Sequence, residues 1–247
     1  MKILIIANWK CNPSSLICAK KLFSDIKKGL QEKQNTEIII CPPFTYIHDL
    51  SVMAGKKIKI GAQNVFWEEG THTGEVSAKM LKNMGCKYAI IGHSERRAMG
   101  ETNELVNKKI KACLAQKIIP IFCIGESSQE KEAEETFQVL QTQIQEGLEG
   151  ISRNQVEKII IAYEPLWAIG TGKNCAYDEA MSINLVIKKT LAKTYNKGLS
   201  KKIKIIYGGS INFSIIEGYI KESMMDGVLV GGASLKAKEF IAILNKF

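Results

Sequence analysis

Residues 202–232 read KIKIIYGGSINFSIIEGYIKESMMDGVLVGG, and this stretch contains two short apolar runs that each end in a pair of glycines. The runs are Lys202–Tyr207 and Gly227–Val230, and their apolar character is largely continuous rather than alternating. A strand that is buried on both faces, as in a parallel sheet, has this pattern. The residues between the runs leave room for a crossover helix.

The same unit recurs along the whole chain, with amphipathic stretches of helical spacing between the runs. The other runs are Ile3–Ala7, Glu37–Cys41, Lys57–Ala62, Tyr88–Ile91, Ile118–Cys123 and Lys158–Tyr163. Eight strand–helix units in 247 residues predict an α/β fold, a single (β/α)8 barrel with eight parallel strands and an outer ring of helices. A doubly wound open sheet uses the same alternation, usually with fewer strands, and is the competing fold. Since no linker interrupts the pattern, we expect one barrel domain over residues 1–247.

The composition is that of a globular protein with a hydrophobic core, because 45% of the residues are hydrophobic and 24% are charged. The net charge of +9 comes almost entirely from lysines, and Arg96, Arg97 and Arg153 are the only arginines. Because arginine dominates specific recognition of bases, we expect no nucleic-acid partner. A positive field can instead speed the capture of an anionic substrate.

The apolar runs are too short to cross a bilayer, and the N-terminus shows no secretory pattern. We therefore expect a cytoplasmic protein without a membrane partner. The seven cysteines form no Cys-x-x-Cys pair, so neither a disulfide framework nor a zinc site is predicted.

Active sites of barrels lie at the carboxyl ends of the strands, so the residues that follow each run are the candidates. Lys10 follows the first run and would point into the mouth of the barrel, although a surface lysine is the simpler interpretation. His93 follows the fourth run and suits acid–base chemistry or hydrogen-bond donation. A structural histidine is the alternative, which fits His48 and His72 better because neither immediately ends a run.

Glu164 directly follows the sixth run and precedes Pro165. Partial burial in an apolar mouth raises the proton affinity of a carboxylate, which suits a general base. Glu95 and Arg97 follow His93 and are predicted to form a buried supporting pair.

Leu166 to Ile169, followed by Gly170 and Gly172, form an apolar loop with glycine hinges beside this carboxylate. The pattern is typical of a lid that excludes water, whereas an ordinary surface loop has little reason to be so apolar. Gly208-Gly209-Ser210 and Gly231-Gly232 end the last two runs, where barrels commonly build a phosphate site.

No histidine or acidic residue has the spacing of a metal site, and no dinucleotide-binding or P-loop motif is present. We therefore predict neither a metal nor a cofactor. The residues indicate an enzyme that binds a small phosphate ester and abstracts a proton next to a carbonyl. Residue types alone do not identify the sugar.

Several segments carry a family resemblance over nearly the whole chain. They are Asn8-Trp9-Lys10, Gly61-Ala62-Gln63-Asn64, Thr73-Gly74-Glu75, Gly92-His93-Ser94-Glu95-Arg96-Arg97, Cys123-Ile124-Gly125-Glu126, Ala162-Tyr163-Glu164-Pro165, Trp167 to Lys173, Tyr207-Gly208-Gly209-Ser210 and Gly231-Gly232-Ala233-Ser234. In content and order these segments resemble the triosephosphate isomerase family.

The resemblance implies interconversion of glyceraldehyde 3-phosphate and dihydroxyacetone phosphate. Glu164 would shuttle the proton, and a neutral His93 would act as electrophile, a role taken here from the known behaviour of the family. Lys10 would neutralise the charge of the phosphate and the enediolate, and Asn8 would hydrogen-bond the substrate oxygens. Glu95 and Cys123 are assigned supporting roles. The phosphate would be held by Gly170, Ser210, Gly231 and Gly232.

The resemblance also implies a homodimer, in which the loop containing Thr73 contacts the partner subunit beside its Asn8 and Lys10. Val65–His72 carries Phe66 and Trp67, which a monomer would expose to water. This loop is shorter than expected for the family and ends in His72 rather than an aromatic residue, which predicts a weaker dimer.

Two further departures lie beside the predicted lid, where Asn174-Cys175 and Tyr177 replace smaller residues or proline. Two other classes of protein also remain, a different phosphosugar enzyme and a catalytically dead barrel that serves as a binding protein. Every catalytic residue expected for the family is present in this sequence, which argues against both classes.

Overall fold

The fold is described by a computed structural model that covers residues 2–31, 35–168 and 174–247. Its strands are β1 (Ile3–Asn8), β2 (Thr36–Cys41), β3 (Ile58–Ala62), β4 (Tyr88–Ile91), β5 (Ile119–Ile124), β6 (Ile160–Tyr163), β7 (Lys204–Tyr207) and β8 (Gly227–Val230). Each strand pairs in parallel with the next, and β8 pairs with β1, so the sheet is a closed barrel. The predicted (β/α)8 barrel is thus confirmed, and the open-sheet alternative is wrong.

Helices surround the barrel and connect the strands. They are α1 (Leu16–Lys28), α2 (Ile47–Ala54), α3 (Ala78–Asn83), α4 (Ser94–Ala98), α5 (Asn103–Ala115), α6 (Ser128–Glu132), α7 (Thr136–Gly147), α8 (Arg153–Val156), α9 (Tyr177–Thr194), α10 (Lys197–Lys202), α11 (Ile216–Lys221) and α12 (Ala237–Leu244). Many begin at a residue whose side chain accepts a backbone N–H, as Ser15 does for α1 and Thr102 for α5. In the described part of the chain, every helix is too short or too polar to span a bilayer.

Two strands, β6 and β7, begin two residues later than the apolar runs predict. Lys202 is the last residue of α10, so β7 begins only at Lys204. Before β6, the N–H of Ile159 donates to the carbonyl of Val156 at 3.0 Å, which keeps this residue in a turn. Both starts are therefore set by preceding helices rather than by hydrophobicity.

The core consists of two concentric layers, which explains why the strand sequences are continuously apolar. Successive residues of β1 alternate between them, since Leu4 and Ile6 pack inside the barrel while Ile5 and Ala7 pack against the helices. The inner layer is small and includes Ile39, Ile90, Ile121, Ile206 and Leu229. A strand in this position has no face left for water.

The carboxyl ends of β5 and β6 approach so closely that the residue after β5 must be glycine. A Cβ on Gly125 would lie 1.9 Å from the carbonyl oxygen of Glu164, which follows β6. The N–H of Glu164 donates to the carbonyl of Ile124 at 2.7 Å and fixes this spacing. The backbone of Glu164 is thus fixed by packing against Gly125 and by this hydrogen bond.

We predict that Gly125→Ala displaces the backbone of Glu164 and lowers both stability and activity. Overpacking of this kind costs about 1–3 kcal/mol of the free energy of unfolding, measured by urea denaturation. Gly198→Ala in α10 is the matched control, because the nearest atom to its new Cβ is a side-chain oxygen at 3.3 Å. Wild-type stability and activity in Gly125→Ala would contradict the packing argument.

Candidate active site

A cavity of about 240 Å³ opens at the rim formed by the carboxyl ends of the strands. It brings together seven of the eight predicted catalytic and substrate-binding residues, although they come from five separate parts of the chain. These are Asn8, Lys10, His93, Glu164, Ser210, Gly231 and Gly232. Gly170, the eighth, lies outside the described residues, as does most of the predicted lid.

Glu164 is a buried carboxylate with its oxygens turned toward the start of α4. Its side chain is almost completely enclosed, with 2% of the residue exposed. Oε2 accepts a hydrogen bond from the N–H of Ser94 at 3.2 Å, and Oε1 lies 3.5 Å from Nε2 of His93. A carboxylate held by few donors in an enclosed site is a competent proton acceptor.

His93 precedes α4 and points one ring nitrogen into the cavity. Its Nδ1 accepts a hydrogen bond from the N–H of Glu95 at 3.2 Å. A nitrogen that accepts a hydrogen bond carries no proton, so the hydrogen of the neutral ring is on Nε2. His93 therefore presents a hydrogen-bond donor to the same space that the carboxylate of Glu164 reaches.

The loop that carries His93 is held by a buried ion pair below it. Glu101 accepts a hydrogen bond from the N–H of Gly92 at 3.0 Å and contacts the ammonium group of Lys109. Lys109 also donates to Oδ1 of Asn64 at 2.7 Å. Since both charges are buried and paired, removal of either would leave the other uncompensated, so the loop is strongly constrained.

Lys10 has an unusual backbone conformation that directs its side chain across the cavity. Its φ is +52°, in the left-handed region that non-glycine residues seldom occupy. Its N–H donates to Oδ1 of Asn8 at 3.0 Å, and its carbonyl accepts from the amide of Gln63 at 2.8 Å. Such local strain persists where surrounding contacts determine it, and it is frequent at functional sites.

Glu95 supports Lys10 rather than Arg97. The ammonium group of Lys10 lies 2.6 Å from Oε1 of Glu95, whose side chain is half exposed. Arg97 instead donates to the carbonyl of Gly92 at 2.9 Å and to Asn103 at 2.6 Å. The predicted Glu95–Arg97 pair is wrong, because α4 turns the two side chains toward different neighbours.

The glycine loops after β7 and β8 leave the cavity open on one side. A Cβ on Gly208 would lie 2.6 Å from Cγ of Glu164, whereas a Cβ on Gly232 would meet nothing within 4 Å. Gly208 is thus required by packing against Glu164, while Gly232 borders empty space. Ser210 Oγ donates to the carbonyl of Ala168 at 2.9 Å and joins this side of the cavity to the turn after Glu164.

Sequence reasoning did not assign a role to Glu126, which is completely buried after β5. Its Oε1 accepts hydrogen bonds from Trp167 Nε1 at 2.7 Å and from the hydroxyl of Tyr163 at 3.1 Å. Burial raises the pKa of Glu126, and the hydrogen bond from Trp167 opposes this shift. The strand-end rule that found Glu164 would also have selected Glu126 and Gln63.

Cys123 lies in the inner layer beneath Glu164. Burial raises the pKa of its thiol well above the usual value, and the nearby carboxylate of Glu164 raises it further. The thiol therefore stays protonated and neutral beside the carboxylate. Among the described residues, no three His, Cys, Asp or Glu side chains are grouped as metal ligands would be.

The loop after β3 packs partly on itself. The rings of Phe66 and Trp67 stack with their centroids 4.0 Å apart, and His72 lies 4.6 Å from Phe66. Both apolar side chains are thus half-buried within the loop, and each keeps a part of its surface exposed in the single subunit. Thr73 itself is exposed.

Comparison with known proteins agrees with this geometry. A sequence model of the triosephosphate isomerase family matches residues 3–247. The triosephosphate isomerase of Dictyoglomus thermophilum is 47% identical over 250 residues, which cover 98% of each chain. That of Alkaliphilus oremlandii is 43% identical over 99% of each chain, and that of Dehalococcoides mccartyi is 45% identical over 99% of this chain and 96% of its own. The chain therefore belongs to the triosephosphate isomerase family.

Proposed function

We propose that this chain interconverts glyceraldehyde 3-phosphate and dihydroxyacetone phosphate through an enediolate, a reaction of glycolysis and gluconeogenesis. The observation that carries the proposal is the convergence of Glu164, His93 and Lys10 on one cavity beside two glycine loops. A base, a hydrogen-bond donor and a fixed cation are what proton abstraction next to a carbonyl requires.

Glu164 is the base in this proposal. Its carboxylate leaves the N–H of Ser94 and takes a proton from the carbon next to the substrate carbonyl. The electrons of that C–H bond form the double bond of the enediolate, and the carbonyl oxygen gains negative charge. The proton of the hydroxyl group on the deprotonated carbon moves to this charged oxygen. Glu164 then returns a proton to the former carbonyl carbon, and a new carbonyl forms at the other carbon, so the reaction is an isomerisation without net gain or loss of atoms.

His93 and Lys10 stabilise the charge that develops on oxygen. Nε2–H of His93 donates to the oxygens of the enediolate, because Nδ1 is occupied by the N–H of Glu95. The ammonium group of Lys10, held by Glu95, supplies a positive charge that needs no rearrangement during the reaction. Asn8 fixes the backbone of Lys10 and reaches the same oxygens.

The phosphate binds between the loops after β7 and β8. Backbone N–H groups near Ser210, Gly231 and Gly232 suit an anion because no Cβ obstructs their approach at the glycines. Gly170 is the fourth group of this proposed phosphate site. We further propose that residues 1–247 form one catalytic domain, that it acts in the cytoplasm without a cofactor, and that neither a membrane nor nucleic acid is a partner.

The chain is proposed to act as a homodimer. Thr73 lies exposed on a loop that packs on itself, at the position whose counterpart in the family contacts the neighbouring subunit. Contact beside the partner subunit's Asn8 and Lys10 would hold the strained backbone of Lys10 from outside. Activity would then depend on assembly.

An assay of glyceraldehyde 3-phosphate consumption, coupled to NADH-dependent reduction of dihydroxyacetone phosphate, tests the proposed function. Turnover that depends on the purified chain and saturates with substrate supports an isomerase. A folded chain without turnover would favour the alternative of a catalytically dead barrel that serves as a binding protein.

We predict that Glu164→Gln keeps the fold but loses most turnover, by about 10²- to 10⁴-fold in kcat. The amide keeps the shape of the side chain and cannot accept the proton. Glu157→Gln, at an exposed ion pair with Lys202, is the matched control and should keep wild-type kcat. Near-normal turnover in a folded Glu164→Gln protein would remove Glu164 from the mechanism.

We predict that Thr73→Arg yields folded monomers with much lower activity, because a long charged side chain obstructs the proposed contact. Sedimentation velocity and activity are measured on the same samples, with Thr73→Ser as the conservative control. A wild-type chain that is monomeric and fully active at nanomolar concentration would refute the dependence on a partner.

A further inference from the structure

Trp167 lies three residues after the proposed base, in the turn that joins β6 to the rest of the site. Several hydrogen bonds hold this turn in place. The N–H of Leu166 donates to the carbonyl of Glu126 at 3.0 Å. The N–H of Ala168 donates to the carbonyl of Pro165 at 2.9 Å. The indole of Trp167 donates to the carboxylate of Glu126 at 2.7 Å. The position of Glu164 is thus coupled to the position of this indole.

Lys131 covers the face of the same indole. Its ammonium nitrogen lies 3.5 Å from the centre of the Trp167 ring, within the range of a cation–π interaction. The edge of the ring is therefore held by a buried carboxylate, and its face is held by a cation. Both interactions are electrostatic and both orient the ring.

The cation itself is fixed by a second contact. Lys131 lies in α6, and its ammonium group is 2.6 Å from Oε1 of Glu179 in the first turn of α9. Both side chains are about one-third exposed, and an ion pair at such a site contributes little to stability by itself. Its effect is geometric, because it holds a flexible lysine side chain over the ring.

We propose that Lys131, anchored by Glu179, is a positioning residue for Glu164 that acts through the indole of Trp167. Lys131 is not among the described residues that line the cavity, so the role proposed for it is one of positioning and requires no contact with the substrate. Loss of its cation frees the ring to shift, and the turn that follows the base loses orientation. A misplaced base weakens transition-state stabilisation more than ground-state binding, so kcat falls while KM changes little. This inference rests on the proposed isomerase function.

The experiment compares Lys131→Met, Lys131→Arg and Glu179→Gln in the full chain. We expect Lys131→Met to lower kcat about three- to tenfold, with KM within about twofold of wild type. Lys131→Arg keeps the cation over the ring and should restore kcat, whereas Glu179→Gln should give an intermediate value. Lys202→Met is the matched control, because Lys202 forms a comparable surface ion pair with Glu157.

A spectroscopic measurement separates positioning from general stability. In protein labelled with ¹⁵N-tryptophan, the indole resonance of Trp167, assigned with Trp167→Phe, should shift in Lys131→Met and return in Lys131→Arg. The resonances of Trp9 and Trp67 should stay in place. A merely structural ion pair between α6 and α9 would lower the melting temperature without this selective shift.

Wild-type kcat in Lys131→Met, or equal losses in Lys131→Met and Lys131→Arg, would overturn the positioning role while leaving the proposed function intact. An inactive wild-type chain would instead refute the proposed function and this role together.

Discussion

Closure of the barrel depends on the pairing of β1 with β8, and the arrangement of the site depends on closure. Leu4 lies opposite Gly227 in this pair, and a Cβ on Gly227 would be 2.1 Å from the carbonyl oxygen of Leu4. Glycine lets the first and last strands meet without a gap. Since all strands are parallel, their carboxyl ends share one rim, where Lys10, His93 and Glu164 converge from distant parts of the chain.

The rim combines features that do not favour folding by themselves. Glu164 is a carboxylate with almost no access to water, and Lys10 holds a strained backbone conformation. Burial of charge and backbone strain each cost free energy. Contacts beneath and beside the cavity offset these costs. They include the hydrogen bond from the amide of Gln63 to the carbonyl of Lys10 and the buried ion pair between Glu101 and Lys109. The hydrophobic layers beneath the rim support the described residues of the site in this arrangement.

Much of this arrangement is predictable from sequence, because continuous apolar runs and the residues that follow them are local signals. Glu164, His93 and Lys10 were found in this way, as were the glycine loops. Contacts between side chains on different helices and strands are not predictable from these local signals. Proximity in sequence suggests a pair between Glu95 and Arg97, whereas the geometry of α4 places Glu95 beside Lys10. Likewise, no local sequence pattern predicts that Lys131 lies over the ring of Trp167. Similarly, only the folded loop shows that Phe66 stacks on Trp67.

The central claim is that the reaction proceeds by proton transfer through an enediolate, with Glu164 as the base. The most direct measurement is a ¹H NMR analysis of product formed by the wild-type chain in D2O. Because a carboxylate can exchange its proton with solvent during the lifetime of the enediolate, the account predicts deuterium at the carbon that receives the proton in a substantial part of the product. Product formed at the enzymatic rate with full retention of the substrate hydrogen would contradict the predicted exchange at the carboxylate during the lifetime of the enediolate.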